Sequence, residues 1–554
     1  MSLKASDEME YRLDLPDPHS LESGGMTITE MGKYHNRLDE MGRKKTVKKE
    51  LFADMIESES VDDVYVYFRQ FTNRFAHPDR ALGIGKATMN QAAFEAFDEF
   101  ESVEAVEEMR TEFGGSLTRA LRENETGTEG NDVDVVSLYE RQLEIEQETG
   151  DRNLVEMIAK TLTEVASPWV FSQMVGADLA CYVGDYMFVE AISMVDESVT
   201  ADDVRRAWGI QNDGPLVFLD WARDDRELTL DCQPHTMIGE MKAKKTDAGH
   251  AAELQESGDW IAQTKYDGAR LFIHHAGDED YRAYMAGNSD VTVYLPELFE
   301  EPIASQLPEF PFILDCEVTP YDPETGEVLP FQHILKRTGM DASEMVDAES
   351  TGVDARFKLF DVLNWQGNDL TTHPYHERLD ILKSAFTPDL VARTGTDMEV
   401  VFNKSLEDGH EGVVLKQLDG EFEFNMRSGD WLKWKADPMD ADLRVKDAHE
   451  GDGRAAGGIG ALHLQARYDD GWVDVGAVGT GFTDHDRKRL WKQYQAGELV
   501  GKTVQVNFEE LQVSDDGSAA ALRFPSFDAL RPEGTPDSLE HLAELAGVTE
   551  ELNL

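Results

Sequence analysis

The spacing of apolar positions changes character twice along the chain. From about residue 29 to 230 hydrophobic residues recur three and four apart, as in Leu51, Met55 and Ile56, and again in Leu154, Ile158, Leu162 and Val165. This is the period of amphipathic α-helices. Ser167-Pro168 reads as a helix cap, and the polar breaks at 124–132 (NETGTEGND) and 212–214 (NDG) read as loops. From about 255 to 435 the pattern shortens into WIAQTKYD, ARLFIHH, PFILDCEVTPY, FKLFDVLNW, HEGVVLKQL and DWLKWK, joined by turn-rich pieces such as Asp322-Pro323-Glu324-Thr325-Gly326. Such runs predict strands; with one helical stretch between them (ERLDILKSAF) they predict an antiparallel-rich α+β domain. Beyond Asp437-Pro438 short strands return with glycine punctuation (LHLQARYDD, WVDVGAVG, TVQVNFEEL, AALRFPSF) around a helix near Asp484–Tyr494. That predicts a small β-barrel of OB type, and SLEHLAELAG predicts a closing amphipathic helix.

The chain is 554 residues long, too long for one core. The expected organisation is multidomain: a flexible segment over 1–28, an all-α domain over 29–233, an α+β domain over 234–438, and an OB-fold domain with a C-terminal helix over 439–554. No run of about 18 apolar residues occurs, so no membrane span is expected. The N-terminus lacks an apolar signal-peptide core. Cys181, Cys232 and Cys316 are too few for a four-cysteine zinc site and predict no disulfide framework. A reducing cytoplasm is the expected compartment.

Charge alters this picture. There are 110 Asp and Glu against 52 Lys and Arg, a formal net charge of −58, spread along the chain rather than gathered in a tail. With 26 Phe, 15 Tyr and 9 Trp the chain is not a disordered acidic polymer. Self-repulsion on this scale opposes folding in dilute buffer, whereas at about 1 M salt the Debye length falls to roughly 3 Å and the repulsion is screened. The composition therefore predicts a protein of a high-salt cytoplasm.

Against this acidic background stands Lys265-Tyr266-Asp267-Gly268-Ala269-Arg270, the pattern K-x-D-G-x-R. A lysine amine is nucleophilic only when neutral, which burial and nearby cations favour; Arg270 can supply one such cation. Asp-Gly is a tight-turn signal that brings backbone close to a phosphate, and equally the signal of an ordinary surface hairpin. Five further segments follow in order: Asp315-Cys316-Glu317 ending an apolar strand, Phe360-Asp361, Glu411-Gly412-Val413-Val414-Leu415-Lys416, Lys433-Trp434-Lys435, and Arg523-Phe524-Pro525 with Arg531. Each alone reads as an ordinary strand; the order and spacing carry the information.

This series resembles the covalent nucleotidyltransferases, and within them the archaeal and eukaryotic-type ATP-dependent DNA ligases. The likeness extends to Asp315–Arg337, to Val478–Asp484 (VGTGFTD), to LRFP at 522–525, and to VASPWVFSQMVGADLACYVGD and VRRAWGIQNDGP in the helical region, which is similar to that family's DNA-binding domain. It implies that Lys265 attacks the α-phosphorus of ATP, that AMP passes to the 5′-phosphate of a nick, and that the 3′-hydroxyl then displaces AMP. It implies nucleotide-binding roles for Gln263, Arg270, Glu317, Phe360, Arg427, Lys433, Lys435, Arg523 and Arg531. Of these, Phe360 would stack on adenine and Arg523 and Arg531 would orient pyrophosphate. Glu317 and Glu411 are hard oxygen donors suited to Mg²⁺. The implied partner is nicked duplex DNA, bound by a monomer, with a sliding clamp as a further candidate partner and replication, repair or recombination as the setting.

The chain departs from the family pattern at four places. Gln263 stands where a glutamate usually reads the adenine amino group; its amide oxygen can accept the same hydrogen bond. Met285-Ala286 replaces a Ser-Arg pair, Cys316 replaces a glycine, and Glu533-Gly534 replaces an acidic-lysine pair. The alternatives are an RNA ligase or capping-type nucleotidyltransferase, against which the long helical region and VGTGFTD argue, and a non-catalytic nick-binding paralogue. Basic islands at Arg43-Lys44-Lys45…Lys48-Lys49, Lys242…Lys244-Lys245 and Arg487-Lys488-Arg489 are candidate DNA contacts, the first equally a solvated helix face. The salt expectation is checked by a folding titration: stability should rise from dilute buffer to molar KCl, and full stability in dilute buffer would contradict it.

Overall fold

Between Ile28 and Arg223 every regular element among the described residues is an α-helix, as the three-and-four spacing requires. The computed structural model describes residues 20–549 except 70–83, 85, 99, 113–115, 127–129, 148–150, 177–182, 185, 237, 278–280, 286–288, 340–350, 452–454, 456, 470, 515–518, 532 and 547. Cys181, Ala286 and most of the expected flexible segment therefore lie outside the described residues. Local chemistry starts the helices. Thr27 and Glu30 form a reciprocal capping box, Thr200 and Asp203 another, and Asp213 caps Gly214–Arg223 with Pro215 in its first turn.

Residues 21–26, expected to be loosely ordered, are held. Leu21 and Met26 are buried, and the backbone N–H groups of Gly24 and Met26 donate to Asp63 at 3.0 and 3.1 Å. A carboxylate buried in the helix Val61–Arg69 must find donors, and this segment supplies them. The same helix ends in Arg69, fully buried against Asp213 at 2.6 Å. Phe68 stacks on Phe188 with ring centroids 4.2 Å apart, at the centre of the helical core.

The chain forms two compact units divided between Trp434 and Lys435. The first combines the helices with two five-stranded sheets. One has the order β1-β10-β9-β2-β8, made of β1 (Lys242–Lys245), β2 (Trp260–Lys265), β8 (Thr394–Gly395), β9 (Gly412–Gln417) and β10 (Arg427–Lys435). The other has the order β4-β3-β5-β6-β7, made of β3 (Ala269–His275), β4 (Tyr281–Met285), β5 (Phe312–Tyr321), β6 (Asp354–Trp365) and β7 (Asn368–Asp369). The predicted strands are all present, and ERLDILKSAF falls in the helix Tyr375–Ala385. Asp315-Cys316-Glu317 lies inside β5 rather than at its end, because pairing with β6 continues to Tyr321. Lys242–Lys245, one of the basic islands, is strand β1, parallel to β10. A run of lysines carries no alternating apolar signal, so its pairing is invisible to periodicity.

A shared apolar layer gathers Phe272, Ile313 and Leu363 from one sheet with Phe422, Phe424 and Trp431, and takes in Ile210 from the helical part. Here Gly209 admits the Phe424 side chain: a methyl on Gly209 would lie 2.0 Å from its Cβ. Nearby, Arg206 donates to the Leu230 carbonyl at 2.6 Å and to Thr371 at 3.0 Å, and pairs with Asp369.

The second unit holds a five-stranded antiparallel sheet of order β13-β12-β11-β14-β17: β11 (Met439–Glu450), β12 (Ile459–Tyr468), β13 (Gly471–Val478), β14 (Thr503–Phe508) and β17 (Ser526–Arg531). The hairpin β15 (Glu510–Val513) and β16 (Ala520–Arg523) accompanies it, with helices Asp484–Gln495 and Leu539–Ala546. Gly209→Ala should overpack the Phe424 contact and cost about 1–3 kcal/mol, read as a lowered thermal midpoint at fixed salt.

Candidate functional site

The site is a cleft of about 290 Å³ in the first unit, formed where β2, β9 and β10 of one sheet meet β3, β5 and β6 of the other. Its walls include Gln263, Lys265, Arg270, Glu317, Phe360, Arg427 and Lys433, with Lys242, Lys416 and Trp431. Seven residues singled out from sequence thus meet in one place. The β2–β9 pairing brings the first of them together: Lys265 stands opposite Gly412 and Gln263 opposite Val414. The N–H of Glu411 donates to the Lys265 carbonyl at 3.1 Å, and the Glu411 carboxylate holds the Lys265 ammonium at 2.8 Å.

Gly268 earns its position by packing. A Cβ there would lie 2.3 Å from the Val318 carbonyl oxygen and 3.0 Å from Cγ of Glu317. Only glycine lets the turn after Lys265 seat against β5, which sets Arg270 opposite Glu317. Arg270 is less free than a phosphate ligand would be. Its Nε donates to Asp315 at 2.9 Å, a second arm pairs with the same carboxylate, and another donates to the Met241 carbonyl. The guanidinium lies 5.4 Å from the Phe360 ring centroid and 5.5 Å from that of Trp431. It contributes positive charge and a rigid wall.

Burial pushes the Glu317 carboxyl up to about 7, Lys265 and Arg270 opposing and Glu411 and Asp315 adding to the rise. Lys416, unremarked in the sequence beyond its place in the motif, is a buried cation whose ammonium sits 4.1 Å from the Trp431 ring centroid and 4.4 Å from that of Tyr375. Burial lowers its pKa to about 7, against the pull of Asp361 and Asp315. Gln263 donates from Nε2 to the Tyr375 hydroxyl at 3.0 Å. Tyr375 and Trp431 were missed because an aromatic at strand or helix period looks like core.

Three expected residues belong to the second unit. Lys435 pairs with Glu509 at 2.9 Å, Arg523 with Glu510 at 2.7 Å, and Arg531 with Asp442 at 3.5 Å. Among the basic islands, Lys48 is buried and Lys49 pairs with Glu190 at 3.0 Å. Arg487 donates to the Gly479 carbonyl at 2.8 Å and to those of Ile459 and Gly460, so its fork fastens a helix to strands.

For a divalent cation, Glu317 and Glu411 are the available hard donors; among the described residues no group of three or more His, Cys, Asp or Glu is placed to hold one. Two carboxylates that leave the other positions to water and phosphate oxygens fit Mg²⁺.

The cleft thus gathers a lysine held by a carboxylate, several further cations and an aromatic wall. The model of the ATP dependent DNA ligase domain matches residues 240–435, which contain the whole cleft. The DNA ligase of Natronomonas pharaonis is 35% identical over 393 residues, covering 68% of this chain and 70% of that one. That of Haloarcula marismortui is 33% identical over 371 residues, 64% and 66% of the two chains. That of Methanothrix thermoacetophila is 28% identical over 537 residues, 90% and 94%. Among solved structures, Pmar-Lig_PreS3 superposes with a TM-score of 0.57 at 16% identity, over 90% of this chain and 99% of that one, a likeness of fold alone. The chain belongs to the ATP-dependent DNA ligases of archaeal type, and the RNA-ligase and capping-type alternatives are set aside.

A divalent cation bound at Glu317 would have to displace its proton, so with Glu317 as a metal ligand the divalent concentration giving half-maximal AMP capture should rise as pH falls below about 7, by up to about tenfold per unit. Glu317→Gln should flatten that dependence, measured by labelled-AMP capture across pH 6–8.

Proposed function

We propose that this enzyme seals 5′-phosphate/3′-hydroxyl nicks in duplex DNA through a lysyl-AMP formed on Lys265. The observation that supports it most is the Lys265–Glu411 contact of 2.8 Å inside a cleft that also presents Arg270, Phe360, Arg427 and Lys433. In the first step Nζ, having passed its ammonium proton to Glu411 within hydrogen-bond reach, attacks the α-phosphorus of ATP as the neutral amine, the bond to pyrophosphate breaks, and the second proton lost as the N–P bond forms leaves to solvent. In the second, a 5′-phosphate oxygen attacks the lysyl-AMP phosphorus, the N–P bond breaks and Lys265 regains its proton. In the third, the 3′-hydroxyl attacks the 5′-phosphorus and AMP departs.

The residues act by position and charge. Phe360 offers a face to the base, and Gln263 an amide oxygen to its amino group. Lys433, Arg427 and Lys242 offer their charges to phosphate oxygens, while Arg270 keeps the wall of the cleft rigid. Mg²⁺ held by Glu317 and Glu411 would neutralise phosphate charge. We assign the 29–233 helices to DNA binding, the 439–554 region to an OB-fold that supplies Arg523 and Arg531 to pyrophosphate, and Lys435 to the nucleotide or the nick. The setting we propose is a high-salt cytoplasm, with the enzyme acting as a monomer in replication, repair or recombination and a sliding clamp as a candidate partner. Among the described residues no helix is long and apolar enough to cross a membrane.

Lys265→Ala should abolish capture of labelled AMP and the sealing of an ordinary nick. It should retain sealing of a nick already carrying 5′-linked AMP, since that step does not use the amine. Capture persisting in the variant, or wild-type enzyme capturing none in molar KCl, would refute the assignment.

A further inference from the structure

Gln263 poses a problem for base recognition that a glutamate would not. A carboxylate presents acceptors at both ends, whereas a primary amide has a donor end and an acceptor end, and rotation by half a turn exchanges them. Adenine carries an amino donor at position 6 and guanine a carbonyl acceptor. A freely turning glutamine would accept either base.

The amide of Gln263 is not free to turn. Its residue is 2% exposed on β2, and Nε2 lies 3.0 Å from the Tyr375 hydroxyl and 3.4 Å from the Phe360 carbonyl oxygen. A carbonyl oxygen can only accept, so the end facing it is the donor. Tyr375 itself donates to the same carbonyl at 3.3 Å, and Lys416 donates to it at 2.9 Å. With its own proton committed to that carbonyl, the Tyr375 oxygen meets Gln263 as an acceptor. Turning the amide over would put Oε1 against the Phe360 carbonyl oxygen and would make the Tyr375 hydroxyl give up its own bond to that carbonyl in order to donate to Oε1, in a site where Tyr375 is wholly buried.

We propose that Tyr375 is a positioning residue for nucleobase selection: it fixes the donor end of Gln263 inward, so that Oε1 alone is offered to the base and adenine is taken in preference to guanine. Tyr375 acts through Gln263 and does not touch the nucleotide. The inference rests on the reading of this cleft as the ATP site.

The test measures covalent capture from α-labelled ATP and α-labelled GTP by the full chain in molar KCl. Wild type should prefer ATP. Tyr375→Phe keeps the ring and removes the hydroxyl; the ATP-to-GTP ratio should fall roughly tenfold, the scale of one oriented hydrogen bond. Gln263→Glu should keep or raise the ratio. The double variant Tyr375→Phe with Gln263→Glu should recover it, because a carboxylate needs no orienting. An unchanged ratio in Tyr375→Phe overturns the proposal, as does a fall that Gln263→Glu does not repair, which marks a packing effect. If Tyr375→Phe does not fold, the Gln263→Glu variant decides, a ratio below wild type overturning the proposal. Capture of neither nucleotide by wild type is a different failure: it refutes the ATP site itself.

Discussion

The register between β2 and β9 is the constraint on which the cleft depends. Lys265 opposite Gly412 places the amine beside Glu411, and the same ladder sets Gln263 opposite Val414 and Ile261 opposite Lys416. Side chains alternate with period two, so a slip of one residue would turn Lys265 and Gln263 away from the cleft together. The register is held by burial: Ala262, Val413 and Leu415 are enclosed in the apolar cluster with Met398 and Leu432. The geometry of the cleft is a by-product of how a strand hides its apolar face.

Behind the cleft, ionised groups alternate in sign. Arg270 is forked onto Asp315, Arg378 onto Asp361, and Lys416 lies against the rings of Trp431 and Tyr375. Buried pairs of this kind add little net stability over apolar packing, but removing one partner strands a charge. They define a rigid back wall against which Phe360 and Gln263 are positioned.

The overall charge of −58 and a cleft lined by cations are compatible because charge is local. The cleft is lined by Lys242, Lys265, Arg270, Lys416, Arg427 and Lys433 with Glu317, and Glu411 lies against Lys265. At molar salt, where the Debye length is about 3 Å, long-range attraction to DNA is nearly absent and contacts of 2.8 Å such as Lys265–Glu411 persist. Recognition in such a solvent depends on close contact and shape, and the acidic remainder of the surface is no obstacle. Relatives from halophilic archaea are consistent with that solvent.

Much of this was legible in the linear chain. Helices came from a three-and-four period backed by real caps, strands from short alternating runs, and the family from K-x-D-G-x-R followed by an ordered series of motifs. Both are local patterns: periodicity reports which face is buried, and a motif reports chemistry with fixed spacing. What periodicity could not show was pairing without an apolar signal, as in the lysine-rich β1, or burial of residues 21–26 by the demand of Asp63 for donors. Nor could it separate the cations that face the cleft from those tied elsewhere, Lys435 to Glu509 and Arg487 to three carbonyls. Tyr375, more than a hundred residues from Gln263, reads in sequence as one more core aromatic. Its hydroxyl acquires meaning only because folding brings it within 3.0 Å of that amide. The sequence alone determined the elements that carry an apolar period and the family that the ordered motifs mark. The tertiary structure decided which charges are free and which way a neutral amide faces, because those depend on partners far apart in the chain.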